Sequence, residues 1–293
     1  MCIRDSPYIH EVGRTAAFLR LVRPVNSLMM GFATVVGAFL THPGPVSGWW
    51  FKGVLAFVTA FTLTGASMTL NDYYDREIDA VNEPDRPIPS GLVKPWEALA
   101  MTTVLTVVGL ASAYLTNLWC LLLASISCAV SFTYSTRGKA TGLPGNMMVS
   151  TCVAVPFLYG GLAVGGGLTE NLAIFSAMAF LVNTGREVTK GIVDVEGDAM
   201  KGFRTVAISM GPASAAWVSS AFYVTAIGMS VVPYVFSTVS SWYVPPMAVA
   251  CGGLAYSTAS LLKEHSRENA RRVKHQVLAW MLVGLIAFLL GSL

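Results

Sequence analysis

The sequence predicts an all-α, polytopic membrane bundle of nine transmembrane helices. Three observations carry this. First, the chain is 54% hydrophobic and only 12% charged, with a mean hydropathy of +0.60, whereas soluble domains carry about 25% charged residues. Second, the apolar residues gather into runs of roughly 20, the length a helix needs to cross a bilayer. The alternating segments of roughly ten residues that build membrane barrels are absent. Third, the charged side chains are confined to alternate loops.

In chain order the runs are 21–41, 50–71, 97–116, 118–136, 146–166, 170–189, 212–236, 243–262 and 273–292. With the N-terminus placed in the cytoplasm, 18 of the 19 Lys and Arg residues fall on the cytoplasmic side, Lys52 excepted, and so do all 16 acids but Glu170. This is the positive-inside bias. It places the protein in the cell membrane as a multi-pass chain whose chemistry faces the cytoplasm. Pro84, Pro87, Pro89 and Pro95 stop the second helix. The stretch GGLAVGGG (160–167) serves tight helix packing and a turn. Trp49, Trp50, Trp119 and Trp242 fit an interfacial belt. The basic run Arg267–Lys274 reads as an anionic-lipid anchor, with His265 and His275 solvated beside it.

No linker divides the chain, so 1–293 is read as a single membrane-embedded domain. Within it the N-terminal segment 1–14 is not read as structured, and its opening MCIRDSPYIH is not a signal peptide. Of Cys2, Cys120, Cys128, Cys152 and Cys251, four lie in apolar runs and none forms a C-x-x-C pair, which excludes a disulfide framework and a zinc site. The net charge of +3 is the ordinary bias of cytoplasmic loops. It calls for no nucleic acid, and no protein partner is implied.

The chemistry concentrates in NDYYDREID (71–79), which follows an apolar run. Asp72, Asp75 and Asp79 stand at i, i+3 and i+7, so on a helix they share one face. Carboxylates this close need cations between them, and ionisable residues at the end of a span mark function. A second cluster, DVEGD, sets Asp194 and Asp198 at i and i+4. Hard oxygen donors in two clusters suit Mg²⁺, which binds through one or two carboxylates plus substrate phosphates. These five aspartates are therefore the candidate metal ligands and catalytic residues. Asn71 adds a neutral ligand or donor. Arg137, Lys139, Lys190 and Arg204 can take the remaining phosphate oxygens, and Arg76, Arg86, Lys94 and Lys201 bring further positive charge near the acids. A diphosphate at the mouth of an apolar, membrane-embedded cavity describes a polyprenyl diphosphate. Its ionisation gives an allylic cation that Tyr134, Tyr73, Tyr74 or Phe132 can face. Two other classes fit less well. A CDP-alcohol phosphotransferase needs a D-G-x-x-A-R stretch, which is missing, and a transporter would carry its acids near mid-span.

NDYYDREID matches the N-D-x-x-D-x-x-x-D signature of the UbiA superfamily of intramembrane prenyltransferases. DVEGD resembles that family's second motif, and YSTRGK (134–139) resembles the Tyr/Lys loop after its fourth helix. The resemblance covers the chain from about Arg20. It implies the nine-helix fold, Mg²⁺, catalytic Tyr134, and Arg23 with Asn26 lining the cavity. One position departs: related members often carry Asp where this chain has Gly191. The longer stretches NDYYDREIDAVNEPDRPIPSG and GREVTKGIVDVEGD are most similar to archaeal geranylgeranylglyceryl phosphate geranylgeranyltransferases. That resemblance implies a lipid-like acceptor and formation of the second ether bond of archaeal membrane lipids, with Arg86 and the other loop cations available to the acceptor's phosphate. An aromatic acceptor, as in quinone or chlorophyll-type pathways, is the alternative. Either way the partners are the polyprenyl diphosphate, its acceptor and the surrounding lipids.

Overall fold

The structure is a computed structural model that describes residues 13–41, 45–200 and 202–293. Regular structure among these is helical throughout. The α-helices are α1 (Arg14–Val22), α2 (Pro24–Thr41), α3 (Trp50–Asn82), α4 (Pro95–Thr116), α5 (Leu118–Thr136), α6 (Leu143–Ala163), α7 (Glu170–Val193), α8 (Val195–Met200), α9 (Val206–Met210), α10 (Pro212–Ser230), α11 (Val232–Val235), α12 (Val244–Lys263) and α13 (Arg267–Gly291). Cys2 and most of the N-terminal segment lie outside the described residues.

Seven stretches are long and apolar enough to cross a membrane among the described residues: α2, most of α3, α4, α5, α6, the joined α10–α11, and α13. The expected count of nine is not reached on this measure. The two remaining runs, α7 and α12, form long helices in the expected places, but their composition is more polar. α7 carries Asn183, Arg186, Glu187 and Lys190, and α12 is rich in Gly, Ser and Thr. For α7 the reason is its position. It packs against α2, α6, α10 and α13, so it needs no lipid-facing surface. The peripheral helices are the reverse: only 28% of the apolar window of α4, and of α5, is buried. Val104, Val107, Leu115, Leu122 and Ile126 are exposed, a surface that only lipid makes tolerable. The chain is an integral membrane protein.

Two local features position the site. The first predicted run is broken rather than continuous. Arg23, between α1 and α2, sits at φ 48°, a left-handed conformation that is unfavourable for a residue with a Cβ. The second run does the opposite. α3 continues beyond the apolar stretch to Asn82, so the acidic motif is carried by the same rigid rod that spans the bundle. The proline-rich segment then turns back, and α4 begins with Pro95 at its first position while Glu97 Oε2 accepts from the Lys94 amide at 2.8 Å, a capping arrangement.

Within the glycine-rich stretch 160–167, Gly160 packs closely against α2 as expected, and Gly37 of α2 packs likewise against α6. A Cβ on Gly160 would lie 1.8 Å from the Thr34 carbonyl oxygen, and one on Gly37 would lie 2.0 Å from that of Phe157. Here α2 and α6 touch backbone to backbone. Gly165, at φ 79°, makes the following turn. One aromatic is misplaced by the belt reading. Trp50, Trp119 and Trp242 are exposed, but Trp49, at the junction between a 3₁₀ turn and α3, is 5% exposed and packs edge-on against Phe39 at 5.0 Å. Gly160→Leu should force α2 from α6 at a cost of about 1–3 kcal/mol, read as a lower unfolding temperature in detergent; an unchanged transition would mean the two helices part freely.

Candidate active site

The acidic face of α3 is turned into the bundle. Asp72, Asp75 and Asp79 are 3%, 4% and 5% exposed, and each meets a cation from another element. Arg23 Nη2 reaches Asp72 Oδ1 at 2.5 Å, from the break between α1 and α2. Arg86 Nη1 lies 2.7 Å from Asp79 Oδ2 and 3.2 Å from Asp72 Oδ1, while its Nε holds Glu83 at 2.9 Å. The turn of the chain after Glu83 creates this fork, and Arg suits it because its donors are fixed in one plane. Burial opposes the charge on Glu83, but Arg86 and Lys274 hold its carboxyl below the usual range.

Lys139 joins the two acidic motifs. Its Nζ is 2.8 Å from Asp75 Oδ2 and 3.9 Å from Asp198 Oδ1. Asn71 Nδ2 donates to the same Asp75 oxygen at 2.7 Å. The lysine is offered by a 3₁₀ turn (Gly138–Thr141) after α5. That turn is fastened to the segment following DVEGD, since the Arg204 amide donates to the Ala140 carbonyl at 3.3 Å. Gly142, at φ 71°, has no room for a Cβ there, with the Arg204 carbonyl oxygen 2.2 Å from where it would lie. Asp198 Oδ1 is buried and has no hydrogen-bond partner; burial pushes its carboxyl up to about 6 against the pull of Lys139. Among the described residues no three ligating side chains enclose an ion by themselves; the carboxylates converge on these cations instead. The donors nevertheless fit Mg²⁺. They are hard oxygens, one of them unsatisfied, on two motifs that a single positive group already bridges.

Beside this cluster opens a cavity of about 450 Å³. Its charged end is lined by Arg23, Arg86, Arg186, Glu187, Lys190 and Lys274. Its body is lined by apolar and small residues such as Leu63, Cys128, Val153 and Pro156.

The predicted residues divide accordingly. Asn26, Arg86 and Lys190 line the cavity, and Asn71 and Lys139 bind Asp75. Asp194 is half-buried where α7 ends, within electrostatic reach of Lys190 and Lys274. Tyr134 is buried in the last turn of α5, in reach of Glu187, Lys190, Asp75 and Asp198. Arg137, Arg204 and Lys94 are exposed and do not line the cavity. Lys201 lies outside the described residues. Tyr73 stacks edge-on with Tyr74 and carries Arg76 over its ring, and neither tyrosine borders the cavity; Tyr159 does. Sequence reasoning missed Arg186, Glu187 and Lys274. Charges at 186 and 187, inside a predicted span, were a usable signal. Lys274 was hidden in a basic run: it is 8% exposed and faces the cavity, so it is not part of a lipid anchor. At Gly191 a Cβ would meet only Thr205, at 3.7 Å, so the site has space where related members carry a carboxylate.

Residues 30–289 match the UbiA prenyltransferase family. The chain belongs to that family. It is 34% identical over 279 residues to the digeranylgeranylglyceryl phosphate synthase of Archaeoglobus fulgidus, covering 93% of this chain and 94% of the relative. Among solved structures it resembles one described as giving structural and mechanistic insights into digeranylgeranylglyceryl phosphate synthase in membranes, with TM-score 0.71 and 28% identity over 95% of this chain and 98% of the other. It also shares the fold of a UbiA homologue from Archaeoglobus fulgidus bound to GPP and Mg²⁺, with TM-score 0.61 and 18% identity over 93% and 99% of the two chains. This UbiA-family enzyme depends on Arg86 for neutralising three acids. Arg86→Met should lower stability by about 3 kcal/mol, as breaking a buried pair does, and adding Asp79→Asn should recover part of the loss in thermal unfolding. A single variant as stable as wild type would show that the acids are solvated.

Proposed function

We propose that the protein transfers a geranylgeranyl group from geranylgeranyl diphosphate to the hydroxyl of geranylgeranylglyceryl phosphate, forming the second ether bond of an archaeal membrane lipid. The observation that carries this reading is the pair of acidic motifs bridged by Lys139, beside an apolar cavity whose charged end Arg86 and Lys190 line. The naming of its relatives as digeranylgeranylglyceryl phosphate synthases supports the acceptor. Asp72, Asp75, Asp79, Asp194 and Asp198 would hold Mg²⁺, which supplies neutralisation of the charge developing on the leaving diphosphate. Lys139, Lys190 and Arg86 hold the diphosphate oxygens that remain. The C–O bond breaks with its electron pair going to the diphosphate, and the allylic cation forms in a cavity whose apolar body excludes water. Tyr134, buried beside the acidic motifs rather than bordering the cavity, is the aromatic proposed to face the cation. The acceptor's hydroxyl oxygen captures it and then sheds its proton.

The topology belongs to the same reading. α7 and α12 cross the membrane with the other seven, giving nine spans in one domain, and the site faces the cytoplasm. With nine spans, Lys94→Cys and Met200→Cys in a cysteine-free chain should label from the same side of the membrane and Leu293→Cys from the other; Met200→Cys labelling opposite Lys94→Cys refutes the crossing of α7, and Leu293→Cys labelling with both refutes that of α12.

The assay is direct. EDTA should abolish turnover of geranylgeranyl diphosphate and Mg²⁺ should restore it. Asp72→Ala, Asp75→Ala and Asp198→Ala should each cut turnover by about two orders of magnitude or more. Full activity without metal, or near-native Asp198→Ala, removes the mechanism. Efficient prenylation of 4-hydroxybenzoate with no product from geranylgeranylglyceryl phosphate would replace the acceptor by an aromatic one and leave prenyl transfer intact.

A further inference from the structure

Two cations of the cavity wall formed by α7 and α13, Arg186 and Lys274, have no part in the diphosphate site proposed above. Arg186 Nε donates to the Lys274 carbonyl at 3.2 Å, which ties the two helices together at this level. Lys274 is 8% exposed. Its nearest acid is Glu83, with Oε1 3.7 Å from Nζ, beyond hydrogen-bond length. Arg186 meets Glu187 at 3.2 Å through Nη1. Glu83 is already held by Arg86 at 2.9 Å, and Glu187 also faces Lys190 at 3.6 Å. Asp194 acts on Lys274 only at longer range, so Lys274 keeps no close carboxylate in a buried setting where an unpaired ammonium donor is costly. Such a wall favours an anion.

What lies below this wall is apolar. On α13, Leu278 and Met281 follow Lys274 at i+4 and i+7; on α7, Val182 and Ala179 precede Arg186 at i−4 and i−7, so each set shares a helix face with its cation. Met281, Val182 and Ala179 border a second cavity of about 70 Å³, lined almost wholly by apolar atoms and reaching Phe288. Met29, Met30, Val153 and Met281 border both cavities. Methionine is the side chain most able to move aside for a flexible ligand.

We propose that Arg186 and Lys274 bind the phosphate of the acceptor, whose hydrocarbon chain runs between α7 and α13 past Met281 into the second cavity. The donor keeps the lane beside α3, α5 and α6. This rests on the reading of the acceptor as a prenylglyceryl phosphate. It gives the two chains separate lanes and brings both heads to the charged end of the same cavity.

The test measures donor and acceptor kinetics separately, using geranylgeranylglyceryl phosphate, its dephosphorylated counterpart, and a short-chain glyceryl phosphate. Arg186→Met and Lys274→Met should each lower kcat/KM for the phosphorylated acceptor by about ten- to a hundredfold. Both should leave the dephosphorylated acceptor and the donor KM unchanged, and Lys274→Arg should keep the wild-type preference. Gly284→Leu tests the chain's lane. Gly284 borders the second cavity, and a Cβ there meets nothing within 4 Å, so the leucine enters empty space. It should raise the KM for the long-chain acceptor and spare the short-chain one. Wild type inactive on geranylgeranylglyceryl phosphate would overturn the acceptor reading and this seat together. Wild type active on it, with the Met variants keeping the preference for phosphate or raising the donor KM, would overturn the phosphate site alone. An unchanged long-chain KM in Gly284→Leu would overturn the lane.

Discussion

Three carboxylates on one face of α3, inside an apolar bundle, set the terms for every charged group around them. Moving an ion out of water costs several kcal/mol even after relaxation, and the cost is recovered only with well-placed partners. Each partner comes from a different element. Arg23 comes from the left-handed break between α1 and α2, Arg86 from the proline-rich return, and Lys139 from the turn held against Arg204. The irregular parts of this fold are the parts that deliver cations. They line one end of the bundle, where non-helical backbone is tolerated because it borders a polar cluster and a cavity.

The same compensation suits the proposed ligand. A diphosphate with its metal brings both signs of charge, so it can take over the pairs that Arg86 and Lys139 make with the aspartates. Asp198 is the exception, because its Oδ1 has no hydrogen-bond partner and burial opposes its charge. α7 extends this logic to the opposite wall. A helix enclosed on most sides by others can carry Arg186, Glu187 and Lys190 where a lipid-facing helix could not. That enclosure also explains why it fails a test of apolarity while remaining a full-length member of the bundle.

Packing supports the polar end from below. Where α2 and α6 touch backbone to backbone at Gly37 and Gly160, there is no side chain to cushion a displacement. α2 therefore holds Asn26 and the Arg23 break in fixed register with the α6 residues that wall the cavity. Membrane helices use small residues this way because lipid provides no hydrophobic drive to press them together.

The sequence by itself determined the helical class and the positions of the long helices. It also determined the shared face of Asp72, Asp75 and Asp79, since hydrophobic runs and i, i+3, i+7 spacing are local and a helix reads them out directly. The acidic motifs and the Tyr134–Lys139 stretch were legible for the same reason. Only the tertiary structure decided which cations serve the acids. Arg23, Arg86 and Lys139 were drawn in, while Arg137, Arg204 and Lys94 were left at the surface. It also moved Lys274 from a basic run into the cavity wall and Trp49 from the belt into the core. A charged side chain's partner depends on which helices approach one another, and contacts across tens of residues leave no periodicity in the chain.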